Sequence, residues 1–540
     1  MSRRRAPAGL LDLSQPLLVR IAALLDDPAS TRDFCMKTCK VLYDAYRSDV
    51  DTCLFVPTCY RSLAYDAGRN WAIPPEPIVA DEISLHLRIV DTDPREYLLY
   101  LYALAETATR RARRLTLAVE WQSLPGTAEA LFGGLCRANT ATLEEAAFAW
   151  SRLPEDGAQS DDGARAVVMI DLGDLSYLKA LRVLEMKQLV DDGGNDADSI
   201  DHGFTVSRLP PALDTLVVRD CLLGAPTMGS LEAPKLTDLR LHVHGVGGAG
   251  RPTTLSYFAD RALEGVRRMD VFVDIDDAAA ISGSIAPILE GLPRLESLWL
   301  DGLHSCARLP DAFLARVPPR LTHLSLAPCI SLEDFGVLHR LPATLESLRL
   351  EDVTMDGCLA GLTGLRGLTR LELRNHFGDL AEDTFLNFPN LRSLFITGKE
   401  PIARVPESLG SLPRLTVAFL HVKVVPPGIT RLTALERLVL VGCTADALPD
   451  DFFGELKNLT FLRLDRCGLR SLPPSVGALV GLDCLEVTRC HGLSVIPPLG
   501  HLRALTWLHL CELPLITDIG FADGTSADVE DLTRHAYTYT

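Results

Sequence analysis

A pattern of hydrophobic positions, Leu-x-x-Leu-x-Leu, recurs along the second half of the chain, with Ile, Val or Ala occasionally replacing a leucine. The first positions of ten copies are Leu295, Leu321, Leu345, Leu368, Leu391, Leu415, Leu435, Leu459, Leu482 and Leu505. Subtracting each position from the next gives spacings of 26, 24, 23, 23, 24, 20, 24, 23 and 23 residues. Because side chains alternate between the two faces of a strand, each copy predicts a short strand with its leucines on one face.

A single strand of this kind cannot bury its leucines alone, so we expect successive copies to stack into a parallel sheet around a shared core. Repeats of about 20–29 residues with this pattern are typical of leucine-rich repeats, and the chain resembles that family over about two thirds of its length. The resemblance implies an α/β repeat fold: a leucine-rich repeat solenoid with a curved parallel β-sheet and short turns or helices on its convex side. It also implies a function in binding other proteins.

Weaker copies of the pattern set the predicted domain boundaries. Irregular copies begin at Leu181, Leu213, Leu236 and Val266, so we predict the repeat array over residues 181–515. Degenerate candidates lie near Ile83–Ile89, Leu115–Val119 and Leu143–Phe148. Residues 56–180 are therefore either degenerate leucine-rich repeats or a connecting region, and residues 516–540 are expected to form a C-terminal cap and tail.

The segments between the strands carry signals of their own. Leu-Pro pairs such as Leu309-Pro310 and Leu448-Pro449 precede many variable stretches, and proline resists the interior of a helix. We therefore predict short turns on the convex side of the later repeats. Upstream, Arg95–Arg111 and Gly126–Arg137 favour helices.

Cysteine occupies one particular phase of the repeat, three residues after the last leucine, where the chain is expected to turn inward. The cysteines at this phase are Cys221, Cys329, Cys443, Cys467 and Cys490. Small buried thiols explain this phase better than disulfides do, and they are typical of a reducing compartment.

Residues 10–55 do not follow the repeat. Ser14 is a candidate N-cap for a helix that carries leucine and isoleucine on one face, with Pro16 near its first turn. A second helix is expected to begin near Ser30, and a third to run from about Lys40 to Arg47. The sequence therefore predicts a short helical segment ahead of the repeats.

This segment resembles an F-box, a helical module that docks on a Skp-type adaptor of a cullin ubiquitin ligase. The positions that match its leading leucine and first apolar helix are Leu13, Leu17, Leu18, Ile21 and Leu24. Thr38-Cys39-Lys40 and Leu54-Phe55 match later elements, whereas Ser14 and Leu42-Tyr43 depart from the family pattern. The resemblance implies that the five apolar residues bind the adaptor. The alternative is a plain helical cap over the open end of the solenoid, which repeat arrays require.

The net charge and the hydropathy of the chain argue against two classes of partner, nucleic acid and membranes. With 53 Lys+Arg and 71 Asp+Glu, the formal net charge is 53 − 71 = −18, which argues against binding nucleic acid or an anionic membrane surface. No uncharged apolar run of about 18 residues occurs, so no transmembrane helix is predicted. We expect a cytoplasmic protein, with the nucleus as a second location.

The motifs of common enzymes are missing or lack their context. Gly245–Gly250 satisfies Gly-x-Gly-x-x-Gly, but Arg251-Pro252 follows where a dinucleotide site needs the start of a helix. The acidic stretch Asp191–Asp201 lacks the spacing of a calcium loop. No cysteine begins a Cys-x-Asp motif of the kind that bacterial repeat-type ubiquitin ligases use. We therefore predict no catalytic, cofactor-binding or metal-binding residues, and no enzyme.

The predicted binding residues lie between the leucines, because those positions face the concave side of the sheet when the leucines face the core. The partner-binding residues predicted there are Trp299, Arg349, Glu372, Phe395, Phe419, His421, Val439, Arg463 and His509. An apolar centre flanked by charge is how protein interfaces are commonly built. The alternative is that neighbouring strands only pack these side chains and pair their charges.

Two functions are consistent with these patterns. The first is the substrate-recognition subunit of a Skp-cullin-F-box ubiquitin ligase, with a protein target on the concave face and a Skp-type adaptor and cullin as further partners. The second is a stand-alone leucine-rich repeat scaffold, such as an immune-type or pathogen-derived binding protein without a ligase link.

Overall fold

The computed structural model describes most of the chain after residue 111 and only short strands before it. The described ranges are 52–55, 78–79, 82–89, 109–110, 112–121, 125–152, 168–188, 202–219, 221–224, 235–244, 263–274, 288–289, 291–302, 317–327, 341–352, 362, 364–375, 380–444, 448–516, 519–520 and 526–527. The chain divides into two compact units, Met1–Met269 and Asp270–Thr540.

The first unit is built on parallel strands that follow one another along the chain. Its main sheet contains β1 (Thr52–Phe55), β3 (Glu82–Ile89), β5 (Arg114–Trp121), β6 (Glu145–Arg152), β8 (Val183–Gln188), β10 (Thr215–Arg219) and β12 (Asp238–His244). Each of these strands pairs in parallel with the next. The degenerate patterns near residues 83–89, 115–119 and 143–148 therefore fall in strands of one sheet.

The register of this sheet aligns the repeat positions. Leu115 pairs with Ala146, which pairs with Leu184, and the row continues through Leu216 to Leu239. All five side chains are buried. Hydrophobic burial at equivalent positions thus extends the repeat upstream of Leu181, even where alanine has replaced leucine.

One helix packs against the first unit's strands. It is α1 (Pro125–Ala138), which confirms the helix predicted over Gly126–Arg137. Its Phe132 lies edge-on to Phe148 of the main sheet, with ring centroids 4.2 Å apart, and 6.3 Å from Phe204. Most of the helix predicted over Arg95–Arg111 lies outside the described residues. Within it, Thr109–Arg110 forms the short strand β4, which pairs with β2 (Ile78–Val79).

The first unit also holds a second sheet, which the sequence pattern did not predict. It consists of β7 (Val168–Asp174), β9 (His202–Arg208) and β11 (Leu222–Gly224), all parallel. Phe204 on β9 is fully buried and contacts Phe132. Through Phe132 the helix therefore contacts both sheets of this unit, Phe148 in the main sheet and Phe204 in the second.

The N-terminal segment is described only at its end. Residues 10–51 of the predicted F-box-like segment, with Leu13, Leu17, Leu18, Ile21 and Leu24, lie outside the described residues. Thr52–Phe55 is a strand paired with Glu82–Ile89, not part of a helix. Thr52–Phe55, the end of the segment predicted over 10–55, therefore belongs to the sheet.

The second unit continues the pattern with greater regularity, and β13 (Arg268–Asp274) spans the residue at which the units divide. Its repeat strands are β14 (Ser297–Asp301), β15 (His323–Ala327), β16 (Ser347–Glu351), β17 (Arg370–Arg374), β18 (Ser393–Thr397), β20 (Val417–Val424), β21 (Arg437–Val441), β22 (Phe461–Asp465), β23 (Cys484–Thr488) and β24 (Trp507–Cys511). Each pairs in parallel with the next in this order. Three short strands are added: β19 (Ile402–Arg404) beside β20, and β25 (Ile519–Gly520), which pairs antiparallel with β26 (Ser526–Ala527).

The leucines of the second unit form its core. Leu438 is fully buried and pairs in register with Ala418 on one side and Leu462 on the other. Only the last repeat departs, since Leu505 and Leu508 are partly exposed. The predicted fold class, a leucine-rich repeat solenoid, is confirmed.

A turn of fixed geometry ends many strands of the second unit. The first residue after the strand has a positive φ at Asp352, Asn375, Gly442, Arg466, Arg489 and Glu512. At four of these positions the backbone N–H donates to the last carbonyl of the next strand, at 2.8–2.9 Å: Asp352 to Arg374, Gly442 to Asp465, Arg466 to Thr488 and Arg489 to Cys511. The chain then turns inward, and Cys443, Cys467 and Cys490 are therefore buried, as predicted. None of these three cysteines forms a disulfide, as was also predicted.

The turns opposite the strands are short in the later repeats, which confirms the prediction from the Leu-Pro pairs. They are the 3-10 helices Thr384–Asn387, Glu407–Ser411, Pro427–Arg431 and Pro474–Ala478. None of the helices among the described residues is long and apolar enough to cross a membrane.

Candidate functional site

The strands of the second unit present continuous rows of side chains on the face opposite the leucines, here called the open face. Strand pairing aligns one such row, the middle row: Trp299, Ser325, Arg349, Glu372, Phe395, Phe419, Val439, Arg463, Glu486 and His509. It brings together eight of the nine residues predicted for partner binding. The ninth, His421, lies two residues beyond Phe419 on the same strand.

The centre of the middle row is apolar. Phe395 and Phe419 are half-buried, and their rings stack with centroids 6.5 Å apart and an interplanar angle of 24°. Val439 is the next residue of the row and is also half-buried. We call Phe395, Phe419 and Val439 the central band. It leaves part of two aromatic rings in contact with solvent.

His421 is held in a fixed orientation beside this band. Its ring Nδ1 lies 2.8 Å from the carbonyl oxygen of Gly398. On the other side its ring approaches Gly442, where a Cβ would lie 3.1 Å from the ring Nε2. Gly442 has φ +74°, a conformation that favours glycine, and a side chain there would crowd the imidazole. His421 therefore borders the band as a positioned polar group.

One charged flank of the band is organised around Glu372. Its carboxylate is 6% exposed and accepts hydrogen bonds from Arg370 Nε at 2.6 Å and from Arg374 Nε at 3.2 Å. The Arg370 guanidinium also lies over the Phe395 ring, 4.6 Å from its centroid. Glu372 was predicted as a partner-binding residue, but it is the buried counter-ion of two arginines and is not available to a partner.

The other flank has the same construction. Asp465 is 6% exposed and accepts from Arg489 through Nε and Nη2, both at 2.9 Å, and from the Thr488 hydroxyl at 2.9 Å. Arg463 lies 3.5 Å from Glu486 and 3.9 Å from Asp465. Buried carboxylates thus hold arginine side chains on this flank as well.

Further along the row, the Arg349 side chain reaches past the adjacent strand to contact Trp299. Its guanidinium donates to Glu351 at 2.5 Å and lies 4.9 Å from the centroid of the Trp299 ring, across the small side chain of Ser325. His509, on the last repeat strand, is half-buried and pairs in register with Glu486.

Internal charge pairing, the alternative considered from the sequence, therefore explains most of the charged positions. The central band carries no charge of its own; its contacts are the Phe395–Phe419 stack and the Arg370 guanidinium over Phe395. The middle row alone also missed Arg370 and Arg437, which occupy the first outward position of their strands, and Arg489, which follows a strand. Applying the same alternation two residues earlier would have identified Arg370 and Arg437.

Three cysteines of the second unit have surroundings that disfavour the thiolate form. Hydrogen bonding from the neighbouring thiol, together with burial, raises the pKa of Cys467 and Cys490 well above the ordinary value. Burial, with Glu486 and Asp483 nearby, raises the pKa of Cys484 to about 11. Since the thiolate is the reactive form, these three thiols are poor nucleophiles at neutral pH. Among the described residues no group of three or more His, Cys, Asp or Glu side chains is placed to hold a metal ion.

Several solved structures have a similar fold. A leucine-rich repeat protein of Leptospira interrogans is 17% identical, with a TM-score of 0.40 over 79% of this chain and 88% of that one. An internalin of Listeria monocytogenes is 15% identical, with a TM-score of 0.36 over 64% and 86% of the two chains. The Toll–Spatzle complex of Drosophila contains a match at 14% identity and a TM-score of 0.43, covering 84% of this chain and 52% of that one. No family model matches the sequence.

Proposed function

We propose that the protein binds a target protein through the open face of its second unit, and that it does so as the substrate-recognition subunit of a Skp-cullin-F-box ubiquitin ligase. One observation supports this choice of binding surface. Phe395 and Phe419 form a stacked, half-buried pair at the centre of a face whose other positions are mostly charged. Partly exposed aromatic side chains inside a polar rim are typical anchors of protein interfaces. A receptor of this kind positions its target and does no chemistry itself.

The ligase link rests on the F-box resemblance of residues 10–55. In this proposal Leu13, Leu17, Leu18, Ile21 and Leu24 bind a Skp-type adaptor, and the cullin follows through that adaptor. The order of the elements, an adaptor-binding segment ahead of the repeats, is the usual order in such receptors.

A second candidate is a stand-alone repeat scaffold in which residues 10–55 only cap the array. One observation favours it: β1 is the first strand of its sheet among the described residues. The segment that precedes β1 thus joins the chain at the end of the sheet, where a repeat array needs a cap.

Removing both rings of the central band is expected to weaken target capture. We expect Phe395→Ser with Phe419→Ser to cost about 1–2 kcal/mol of binding free energy, the scale of a hot-spot loss. Both side chains are only half-buried, so the thermal midpoint should change little. The measurement compares, by quantitative mass spectrometry, the proteins that co-purify with the wild type and with the variant.

The control replaces two exposed apolar residues away from the open face. Leu386 is 61% exposed in one short turn and Val480 is 63% exposed after another. Leu386→Ser with Val480→Ser should leave capture unchanged. If both double variants capture the same proteins in the same amounts, the binding site lies elsewhere.

The ligase link has its own test. Leu13→Ala with Leu17→Ala should abolish binding to a Skp-type adaptor, because truncation removes the apolar contacts that the F-box resemblance assigns to these residues. Co-purification of the adaptor and of a cullin with the full chain is the measurement, and unchanged circular dichroism shows that the repeats remain folded. A parent protein that brings down neither adaptor nor cullin would leave the stand-alone scaffold as the function.

A further inference from the structure

We infer that the partner of the open face is an acidic protein segment, with an apolar side chain seated on the central band and carboxylates reaching the arginines on either side. This inference rests on the proposed function and adds the chemical class of the partner. It depends on a difference within the ion pairs of Glu372 and Asp465, in which the arginines are exposed and the shared carboxylate is not.

The exposure values show this difference on both flanks. The side chains of Arg370 and Arg374 are 48% and 44% exposed, whereas their shared partner Glu372 is 8% exposed. The side chains of Arg463 and Arg489 are 37% and 33% exposed, whereas Asp465 is 8% exposed. A ligand that approaches the open face therefore meets guanidinium groups first, with the carboxylates beneath them.

The open face around the central band also carries a net positive formal charge. From β17 to β23, the three outward positions of each strand together with Arg489 carry five arginines, Arg370, Arg374, Arg437, Arg463 and Arg489. They also carry three carboxylates, Glu372, Asp465 and Glu486, which gives 5 − 3 = +2. The whole chain carries −18. A local positive surface attracts an acidic partner, while the net negative charge of the chain opposes its association with other copies of itself.

The pairing also leaves the arginines able to accept a second carboxylate. A guanidinium offers five N–H donors, and Arg374 uses one Nε–H and one terminal nitrogen toward Glu372. The Arg437 guanidinium lies over the Phe461 ring, 4.6 Å from its centroid, and its side chain is exposed. Because the buried acids and rings already hold these side chains in place, less conformational entropy is lost when a partner binds.

The spacing defines the segment. From β17 to β22 there are four strand-to-strand steps, by way of β18, β20 and β21, or about 19 Å at the usual separation of neighbouring strands. An extended segment crosses that distance with about six residues. Exposed acids of this region, Glu436 and Asp483, lie one residue before β21 and β23. The partner's carboxylates are therefore expected toward the carboxyl ends of the strands, near Arg374 and Arg489.

The test selects ligands from a random 12-residue peptide display library on the immobilised full chain. We expect the enriched peptides to carry Asp or Glu on both sides of a Phe, Leu or Trp. The affinity of a synthesised representative should fall with added salt, since exposed charges are screened. This salt measurement needs no variant. Enrichment of basic or uncharged peptides, no enrichment, or an affinity that does not depend on salt would overturn the inference.

Matched variants locate the contact. Arg374→Glu with Arg489→Glu reverses one charge on each side of the band and should reduce the affinity of the selected peptide by about tenfold or more. Arg404→Glu with Arg431→Glu makes the same change in net charge at two exposed arginines outside the open-face rows and should leave the affinity within about twofold. Equal losses in both double variants would contradict a local contact.

The two proposals can fail separately. If Phe395→Ser with Phe419→Ser abolishes peptide binding while the Arg374 and Arg489 reversals do not, the open face remains the binding surface and the acidic partner is wrong. If none of these variants affects the selected peptides, the open face is not the binding surface. Thermal melting of each variant separates loss of binding from loss of folding.

Discussion

Replacing Leu438 with aspartate is expected to lower the free energy of unfolding by about 3–5 kcal/mol, because it places an unpaired carboxylate in an apolar core. Leu438 is fully buried and lies in register between Ala418 and Leu462, with no polar side chain in that row of the core. Chemical denaturation of the full chain, followed by circular dichroism, measures the loss.

The neighbouring residue supplies the control. Val439 follows Leu438 in the same strand but lies on the open face, where it is half-buried. The same change there, Val439→Asp, leaves the new charge in contact with water and should cost no more than about 1 kcal/mol. Equal losses for the two variants would show that the assigned register, with leucines inward and the middle row outward, is wrong.

The second large effect is expected at Gly410. A Cβ on this residue would lie 2.5 Å from the carbonyl oxygen of Gly428 and 2.8 Å from its Cα. These are backbone atoms of the adjacent 3-10 helix, so they cannot rotate away as a flexible side chain would. Gly410→Ala should therefore cost about 2–3 kcal/mol by overpacking, measured as a shift of the denaturation midpoint.

Gly477 provides a closely matched comparison. It is the fourth residue of the 3-10 helix Pro474–Ala478, as Gly410 is of Glu407–Ser411, but a Cβ there would meet no atom within 4 Å. Gly477→Ala should be neutral or stabilise the fold by up to about 1 kcal/mol, since alanine restricts the unfolded chain. A Gly410→Ala protein as stable as its Gly477→Ala counterpart would mean that the two turns do not approach so closely.

The close approach has a cause in the sequence. The repeat from Leu415 to Leu435 is 20 residues long, whereas the other eight spacings are 23 to 26 residues. A shorter return segment leaves less chain to separate neighbouring turns. The Gly428 N–H also donates to Glu407 Oε2 at 3.0 Å, which ties the two turns together.

The sequence by itself determined the periodic part of this protein. Leucines at Leu-x-x-Leu-x-Leu spacing predict the strands, their parallel stacking and the inward cysteines, because burial of a side chain in a repeat depends mainly on its phase. The short turns follow from proline, which prevents a longer helix. Phase also placed Phe395, Phe419 and Val439 on the open face. No periodicity marked the second sheet of the first unit, since its strands lie in stretches where the repeat is irregular.

Only the tertiary structure decided which open-face charges a partner can reach. The sequence presents Arg370, Glu372 and Arg374 as three equivalent polar positions, yet Glu372 is buried and the arginines are not. The difference arises from side-chain length and from contacts across strands: a guanidinium can lie over Phe395 and remain in water, while the shorter carboxylate stays against the sheet. The Arg370–Phe395 contact joins residues 395 − 370 = 25 positions apart, so it follows from the stacking of two repeats and not from either repeat alone.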